Sequence, residues 1–170
     1  MSESPLANDG PPSPGTLLPS HYRECYGCGP ELDFGLRMET KVGSQGTIVA
    51  NLLVTDAHQG APGLIHGGVL AAAFDEALGA LSWLTRTPAV TARLETDFRR
   101  PVPVGSDLHI EAWIESENGR KSWRSAVATF RDGDEAARAH GLFVEVPRDH
   151  FKRHGRKTST DHKERGQEND

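Results

Sequence analysis

Apolar residues dominate one continuous stretch of the chain, from Val69 to Leu84, in which only Asp75 and Glu76 carry charge. A run of this length and composition is typical of a helix that other structure encloses on most sides. The pattern therefore predicts a buried helix from about Gly67 to Leu84. A carboxylate in such a helix loses its hydration, so Asp75 marks a position where chemistry or a specific partner is expected.

The apolar positions outside this helix follow strand patterns. β-Branched residues are enriched before the helix, and apolar and polar residues alternate with a period of two after it. Asn118-Gly119 and Asp132-Gly133 are hairpin signals. The pattern predicts an α+β fold in which an antiparallel sheet wraps around one long helix, with its last four strands in a meander. The predicted strands are residues 34–40, 46–54, 91–98, 107–115, 121–130 and 136–146.

The two ends of the chain differ in composition from its centre. Residues 1–20 hold five of the eleven prolines, and residues 149–170 are strongly charged. Both are predicted to be disordered tails around a single domain at residues 21–148. The formal net charge of −5 gives no sign of nucleic-acid binding. No apolar run reaches the ~18 residues of a membrane helix, and the start lacks the features of a signal peptide, so a cytoplasmic location is expected.

Cys25 and Cys28 are the two cysteines of the chain, and two residues separate them. Such a pair is compatible with a zinc site or a redox motif. Zinc requires two further ligands, which His21 or the histidines around residues 58–66 could supply, but there is no second cysteine pair. The strand and helix that flank a thioredoxin-type motif are not apparent. The pattern favours a tight glycine-containing turn, and no metal or cofactor is expected.

Three segments carry a more specific signal: CYGCGPELDFGLRM at 25–38, HQGAPGLIHGGVLAAAFDEALG at 58–79, and TARLETDFRRPVPVG at 91–105. In the second segment, Asp75 follows the histidine of a His-Gly-Gly triplet by nine residues. Together the segments resemble the hotdog-fold thioesterases, in the branch with the phenylacetyl-CoA and 4-hydroxybenzoyl-CoA enzymes. The resemblance implies a hotdog fold, hydrolysis of an acyl-CoA or related thioester, and a homodimer or homotetramer with sites at the subunit boundary.

The separation of the candidate groups also indicates an oligomer. Nine helical residues, counted from His66 to Asp75, correspond to roughly 13.5 Å of rise and about 180° of rotation. Asp75 therefore cannot share a pocket with the Gly67 amide of its own helix, and a second copy must supply one of the two groups. The adjacent Glu76 points about 100° away from Asp75 and is expected beside the site or at an interface.

The resemblance assigns a role to each catalytic candidate. The Gly67 N–H would polarise the thioester carbonyl, helped by the helix dipole. Asp75 would act either as a nucleophile that forms a mixed anhydride or as a general base on water. Thr91 matches a residue that positions the attacking water. His66 would orient the loop and the thioester, or would be purely structural.

Other residues are expected to bind the substrate. Apolar side chains of the loop and helix would hold the acyl group, and two arginines before Pro101 would meet the phosphates of coenzyme A, although most exposed arginines have no ligand. Some relatives carry an amide residue six positions before the histidine, where this chain has Gly60, and Gln59 is the candidate substitute. The predicted substrate-binding residues are Gln59, Leu64, Gly68, Phe74, Arg99 and Arg100.

Other interpretations are compatible with the same residues. One is a hotdog protein that binds acyl-CoA without turnover, but the presence of Asp75 and Thr91 favours the enzyme. Hydratase or dehydratase chemistry requires an Asp/His pair placed differently around the helix, which this chain lacks. For Asp75 the structural alternative is a salt bridge to an arginine such as Arg93.

Overall fold

One six-stranded antiparallel sheet and one long helix make up most of the fold. The computed structural model describes residues 10–155. The predicted architecture, an antiparallel sheet around one long helix, is confirmed. Within the described residues, no helix has the length and apolar character of a membrane span. The elements in chain order are β1 (Glu39–Val42), β2 (Ile48–Leu53), α1 (Gly67–Ala80), α2 (Ser82–Thr85), β3 (Ala89–Phe98), β4 (Asp107–Asn118), β5 (Lys121–Thr129), β6 (Glu135–Glu145) and α3 (His150–His154).

The strand order in the sheet is β1-β2-β4-β5-β6-β3. The hairpin signals placed β4, β5 and β6 correctly as neighbours. The prediction of a four-strand meander was wrong, because β3 pairs with β6 at the sheet edge and not with β4. The alternation of polar and apolar residues specifies which face of a strand is buried, but it carries no information about which strand lies alongside.

The long helix α1 packs one face on the sheet. Its buried positions follow the spacing i, i+3, i+4, i+7, i+8, which places them on one side of the helix. Many alanines of the strands, among them Ala112, Ala126 and Ala139, are fully buried and allow close packing. The opposite face, which carries Asp75 and Gly79, is half-buried in the single chain. The buried helix residues are Leu70, Ala73, Phe74, Ala77, Leu78 and Ala80.

Two predicted elements differ from the observed ones. The predicted strand at 34–40 overlaps β1 only at residues 39–40. The preceding residues form a loop in which Leu36 and Met38 are buried and Phe34 is exposed. The predicted helix extends to Leu84, whereas α1 ends at Ala80 and the separate short α2 follows Leu81. An apolar run gives the length of a buried segment but not the position of a break within it.

The predicted tails contribute to the structure within the described residues. The Leu18 N–H donates to the Thr40 carbonyl at 2.9 Å, and the Gly15 N–H donates to the Val42 carbonyl at 2.7 Å. Leu18 is buried in the core. Residues 15–18 therefore add to the edge of β1, which differs from the disorder predicted for residues 1–20. At the other end, α3 occupies part of the predicted tail. Residues 1–9 and 156–170 of the two predicted tails lie outside the described residues.

A buried arginine fixes the junction between α1 and α2. Arg124 on β5 is only 2% exposed. Its guanidinium donates to the Leu78 carbonyl at 2.7 Å and to the Ser82 hydroxyl at 3.2 Å. The guanidinium also lies 4.4 Å from the centre of the Phe143 ring. Burial lowers the pKa of Arg124 to about 10, against the opposing effect of nearby glutamates.

Replacing this arginine by lysine should destabilise the fold. Arg124→Lys keeps the charge but loses the planar fork that contacts both helices and the aromatic ring. Because a hydrogen bond to a charged group contributes about 1.5–3 kcal/mol, we expect the free energy of unfolding in urea to fall by about 2 kcal/mol. The matched control is Arg131→Lys, since Arg131 is 82% exposed and pairs with Asp107 at the surface. Equal stability of both variants and the parent would contradict this role of Arg124.

Candidate active site

Asp75 and Thr91 form a hydrogen-bonded pair between α1 and the start of β3. The Thr91 hydroxyl donates to Asp75 Oδ1 at 2.6 Å. The pairing of β3 with β6 is irregular between Thr91 and Arg93, and a bulge of this kind re-aims the neighbouring side chains. Arg93, the alternative partner of Asp75, forms an ion pair with Glu95 instead. The structure thus brings two of the predicted catalytic residues into direct contact.

A cleft of about 620 Å³ opens beside this pair. Its apolar lining includes Trp83, Val90 and Phe143, next to Asp75 and Thr91. A carboxylate with a bound hydroxyl at the edge of an apolar cleft can hold a water molecule or attack a carbonyl carbon.

The predicted acyl-pocket residues are not part of this cleft. Phe74 is fully buried in the core of the single chain, among the residues that α1 packs on the sheet, and its predicted role in an acyl pocket stays a prediction. Its helical position was consistent with either location, and its size favours the interior. Leu64 is half-buried and pairs with Pro103 away from Asp75.

The beginning of α1 has a different arrangement. His66 is the N-cap residue, and its Nδ1 accepts the Gly68 N–H at 2.9 Å. Within residues 10–155 no hydrogen bond from the Gly67 N–H is found. A Cβ at Gly67 would lie 3.2 Å from Cζ of Phe98. The Gly67 amide is therefore available to a ligand, whereas the Gly68 amide and the His66 ring satisfy each other.

Gln59, the candidate substitute for the amide residue of some relatives, holds the loop before α1. Gln59 Oε1 accepts the Gly63 N–H at 2.7 Å, and Gln59 also pairs with Ile65. A Cβ at Gly60 would lie 2.9 Å from the Cα of His66, so the loop approaches the N-cap closely. In the single chain, Gln59 thus shapes the loop that positions His66.

The two arginines after β3 lie at the Gly67 end of the site, because they follow Phe98. Both are exposed and both face acids: Arg99 lies 3.6 Å from Glu135, and Arg100 forms an ion pair with Asp134. Surface ion pairs of this kind contribute little to stability, so each arginine can exchange its carboxylate partner for a more strongly bound anion. The arginines remain able to meet a phosphate.

Glu76, next to Asp75, faces a different set of residues. Glu76 Oε1 lies 3.3 Å from His21 Nδ1, and Cys25 Sγ lies 3.8 Å from Glu76 Oε2. His21, Cys28 and Glu76 are the group of potential metal ligands found within the described residues. The sequence indicated His21, Cys25 and Cys28 as conceivable zinc ligands, but no sequence pattern joins Glu76 to residues more than forty positions away.

The ionisable groups of the cluster have shifted pKa values. Burial raises the pKa of the Cys28 thiol well above its ordinary value, and the Glu76 carboxylate raises it further. Burial also opposes ionisation of Glu76, but His21 and the two thiols outweigh it and hold the pKa of that carboxyl below its usual range. Glu76 is therefore a half-buried carboxylate.

Comparisons with known proteins indicate the family and the fold of this chain. The family model described as the thioesterase superfamily matches residues 62–137. Acyl-coenzyme A thioesterase THEM4 of Bos taurus is 38% identical over 91 residues, which is 52% of this chain and 36% of that relative. The chain thus spans little more than a third of the length of this curated relative.

Solved structures share the fold. The crystal structure of protein RHA08564, a thioesterase superfamily protein, is 30% identical, with a TM-score of 0.68, and the match covers 72% of this chain and 60% of that one. The structure of smu.793 from Streptococcus mutans UA159, bound to acetyl CoA, is 19% identical with a TM-score of 0.61. That match covers 64% of this chain and 88% of the other. The hotdog fold expected from the sequence is confirmed.

Proposed function

We propose that this chain, which belongs to the hotdog-fold thioesterase superfamily, hydrolyses an acyl-CoA or a related acyl thioester to a free acid and a thiol. The observation that carries the proposal is the 2.6 Å hydrogen bond between Thr91 and Asp75 at the edge of an apolar cleft. A carboxylate is the group that this reaction needs, since it can take a proton from water or attack the acyl carbon itself.

The reaction has two possible courses at Asp75. As a general base, Asp75 accepts a proton from water while the water oxygen bonds to the acyl carbon; the C–S bond then breaks, and the thiolate regains a proton. As a nucleophile, Asp75 Oδ bonds to the acyl carbon and displaces the thiolate, and water then hydrolyses the mixed anhydride. In both courses the Thr91 hydroxyl orients the carboxylate or the water.

We infer that each site combines residues of two copies of the chain. Gly67 and Asp75 are eight residues apart on α1, a rise of roughly 12 Å, so one carbonyl cannot contact both groups of a single chain. Thr91, near one end of β3, contacts Asp75, and Phe98, at the other end, lies against Gly67.

Two copies of the chain could combine Gly67 and Asp75 in this way by pairing through the outer edge of β3. Within residues 10–155 no strand pairs with that edge, and an unpaired edge is a template for another strand. Two copies of β3 paired antiparallel about a two-fold axis between Leu94 and Glu95 would set Thr91 of one copy opposite Phe98 of the other. The Gly67 amide of the second copy would then approach Asp75 of the first and polarise the thioester carbonyl.

The substrate contacts follow from the same arrangement. The apolar lining of the cleft, with Trp83 and Val90, suits an acyl group beside Asp75. Arg99 and Arg100, at the Gly67 end, would pair with the phosphates of coenzyme A. The structurally similar smu.793 was solved with acetyl CoA, which supports a coenzyme A thioester as the substrate.

A panel of acyl-CoA substrates tests this function. The parent protein is incubated with aliphatic and aromatic acyl-CoA esters, and release of the free thiol and acid is measured. We expect saturable turnover of at least one class of ester, well above the spontaneous rate. The alternative is a non-catalytic acyl-CoA-binding protein, which the open apolar cleft would also fit. Binding of acyl-CoA in calorimetry without release of thiol from any ester would overturn the enzyme and support that alternative.

A further inference from the structure

A second cluster of reactive side chains lies directly beside the candidate active site. His21, Cys25 and Cys28 belong to the segment that precedes β1, and Glu76 reaches them from α1. The potential ligand atoms of His21, Cys28 and Glu76 all lie within 4.8 Å of one another. We propose that these four residues bind one Zn²⁺ ion, which fastens the segment of residues 21–29 to the helix that carries Asp75.

The donor distances match those around zinc. Bond lengths of about 2.3 Å to sulfur and about 2.0–2.2 Å to nitrogen or oxygen, at tetrahedral angles, place neighbouring donor atoms roughly 3.3–3.8 Å apart. The observed separations are 3.3 Å from His21 Nδ1 to Glu76 Oε1 and 3.4 Å from His21 Nδ1 to Cys28 Sγ. Cys25 Sγ lies 3.8 Å from Glu76 Oε2. The two distances that share His21 Nδ1 lie within the range for a shared tetrahedral ion, and Cys25 lies beside the second carboxylate oxygen of Glu76, just outside that group of three.

The chemistry of the donors also favours zinc. Two cysteines separated by two residues, a histidine and a carboxylate are ligand types that zinc accepts, and sulfur ligands disfavour magnesium and calcium. One ring nitrogen of His21, Nδ1, lies close to both Cys28 Sγ and Glu76 Oε1. An ion placed between the three would satisfy all of them at once.

The loop is shaped to bring the donors together. A Cβ at Gly27 would lie 2.1 Å from Glu76 Oε2, so the carboxylate occupies the space that the missing side chain of Gly27 leaves open. The backbone N–H of His21 donates to Cys28 Sγ at 3.3 Å, a contact that would stabilise a thiolate. The His21 ring packs 6.0 Å from the Trp83 ring, which orients it.

The position of the cluster gives the ion a role. His21 and Tyr22 line the same cleft as Asp75, and Glu76 is its neighbour on α1. Four protein ligands leave no open coordination position, which is typical of a structural zinc and not a catalytic one. The ion would thus fix one wall of the cleft, and its binding would release the thiol protons of Cys25 and Cys28 to solvent.

Metal analysis of the purified protein tests the proposal. We expect about one zinc per chain in the parent after dialysis, and a drop in melting temperature when a strong chelator removes it. Cys28→Ser and Glu76→Gln should each lower zinc affinity at least ~10-fold, because even outer-shell changes reach that size. The matched controls are Glu39→Gln and His109→Asn, two exposed residues outside the cluster, which should retain zinc.

A second measurement uses only the parent protein, so it tests the site even if the variants fail to fold. The zinc-free parent is titrated with Co²⁺, whose thiolate charge-transfer band and strong visible bands report tetrahedral coordination by cysteine. Saturation at one Co²⁺ per chain, reversed by Zn²⁺, supports the site. The proposal is overturned if the parent holds no zinc and gives no such bands under reducing conditions. It is equally overturned if Cys25 and Cys28 are found joined in a disulfide in the native protein. Neither result depends on thioester hydrolysis, so this test is separate from that of the proposed function.

Discussion

Asp75→Asn should lower kcat for acyl-CoA hydrolysis by at least ~10²-fold, the low end of typical acid–base contributions. The asparagine keeps the shape of the side chain but loses the charge and basicity that both proposed courses require. KM should change little, because the Gly67 amide, the cleft lining and the arginines are untouched. Steady-state kinetics on the best ester of the panel measures both parameters.

The matched control for this substitution is Asp33→Asn. The Asp33 side chain is 98% exposed and pairs with Arg37 on the surface, far along the chain from α1. This variant should keep the parental kcat. Parental turnover in Asp75→Asn would show that Asp75 is structural and that its bond to Thr91 only fastens β3 to the helix.

Thr91→Ala should be less damaging than Asp75→Asn. The proposed role of the hydroxyl is to orient the carboxylate or the attacking water, and another water can partly replace it. The comparison of the two variants therefore separates the group that performs the chemistry from the group that positions it.

The parts of the fold that the sequence predicted well are those that local patterns control. The strict alternation at residues 107–115 and the Asn118-Gly119 turn gave β4 and its hairpin to β5 to within a few residues. The apolar run gave the start of α1 at Gly67. The edge position of β3 was not predictable in this way, because it depends on a chain crossover and not on any local pattern. The same holds for Leu18, whose burial depends on the nearby edge of β1.

In the candidate site, too, some features follow from local sequence patterns and others depend on tertiary structure. The spacing of Gly67 and Asp75 on one helix was enough to separate them into two different environments, and the structure keeps them apart on α1. The contact of Thr91 with Asp75 is consistent with the resemblance that singled out both residues. Phe74 lies in the core of the single chain, and a helical wheel does not say which apolar side of a helix faces a ligand. His21, Cys25 and Cys28 are close in the sequence, whereas Glu76 reaches them only through tertiary packing.

The central claim is that one active site takes Asp75 from one copy of the chain and Gly67 from another. This claim predicts how two inactive variants behave together. Asp75→Asn lacks the carboxylate, and Gly67→Leu places a side chain against Phe98, where the thioester carbonyl would bind. In a symmetric dimer of either variant, both sites carry the defect. In a hybrid dimer, one site collects both defects and the other is intact.

The decisive measurement is the acyl-CoA hydrolysis rate of such hybrids. The two variants are co-expressed with different affinity tags, and the hybrid is isolated by two successive purifications. We predict about half of the parental activity per dimer, since one of two symmetric sites is intact, while each variant alone stays at least ~10²-fold below the parent. A hybrid as inactive as its two parent variants, or full activity in a verified monomer, would contradict the composite site.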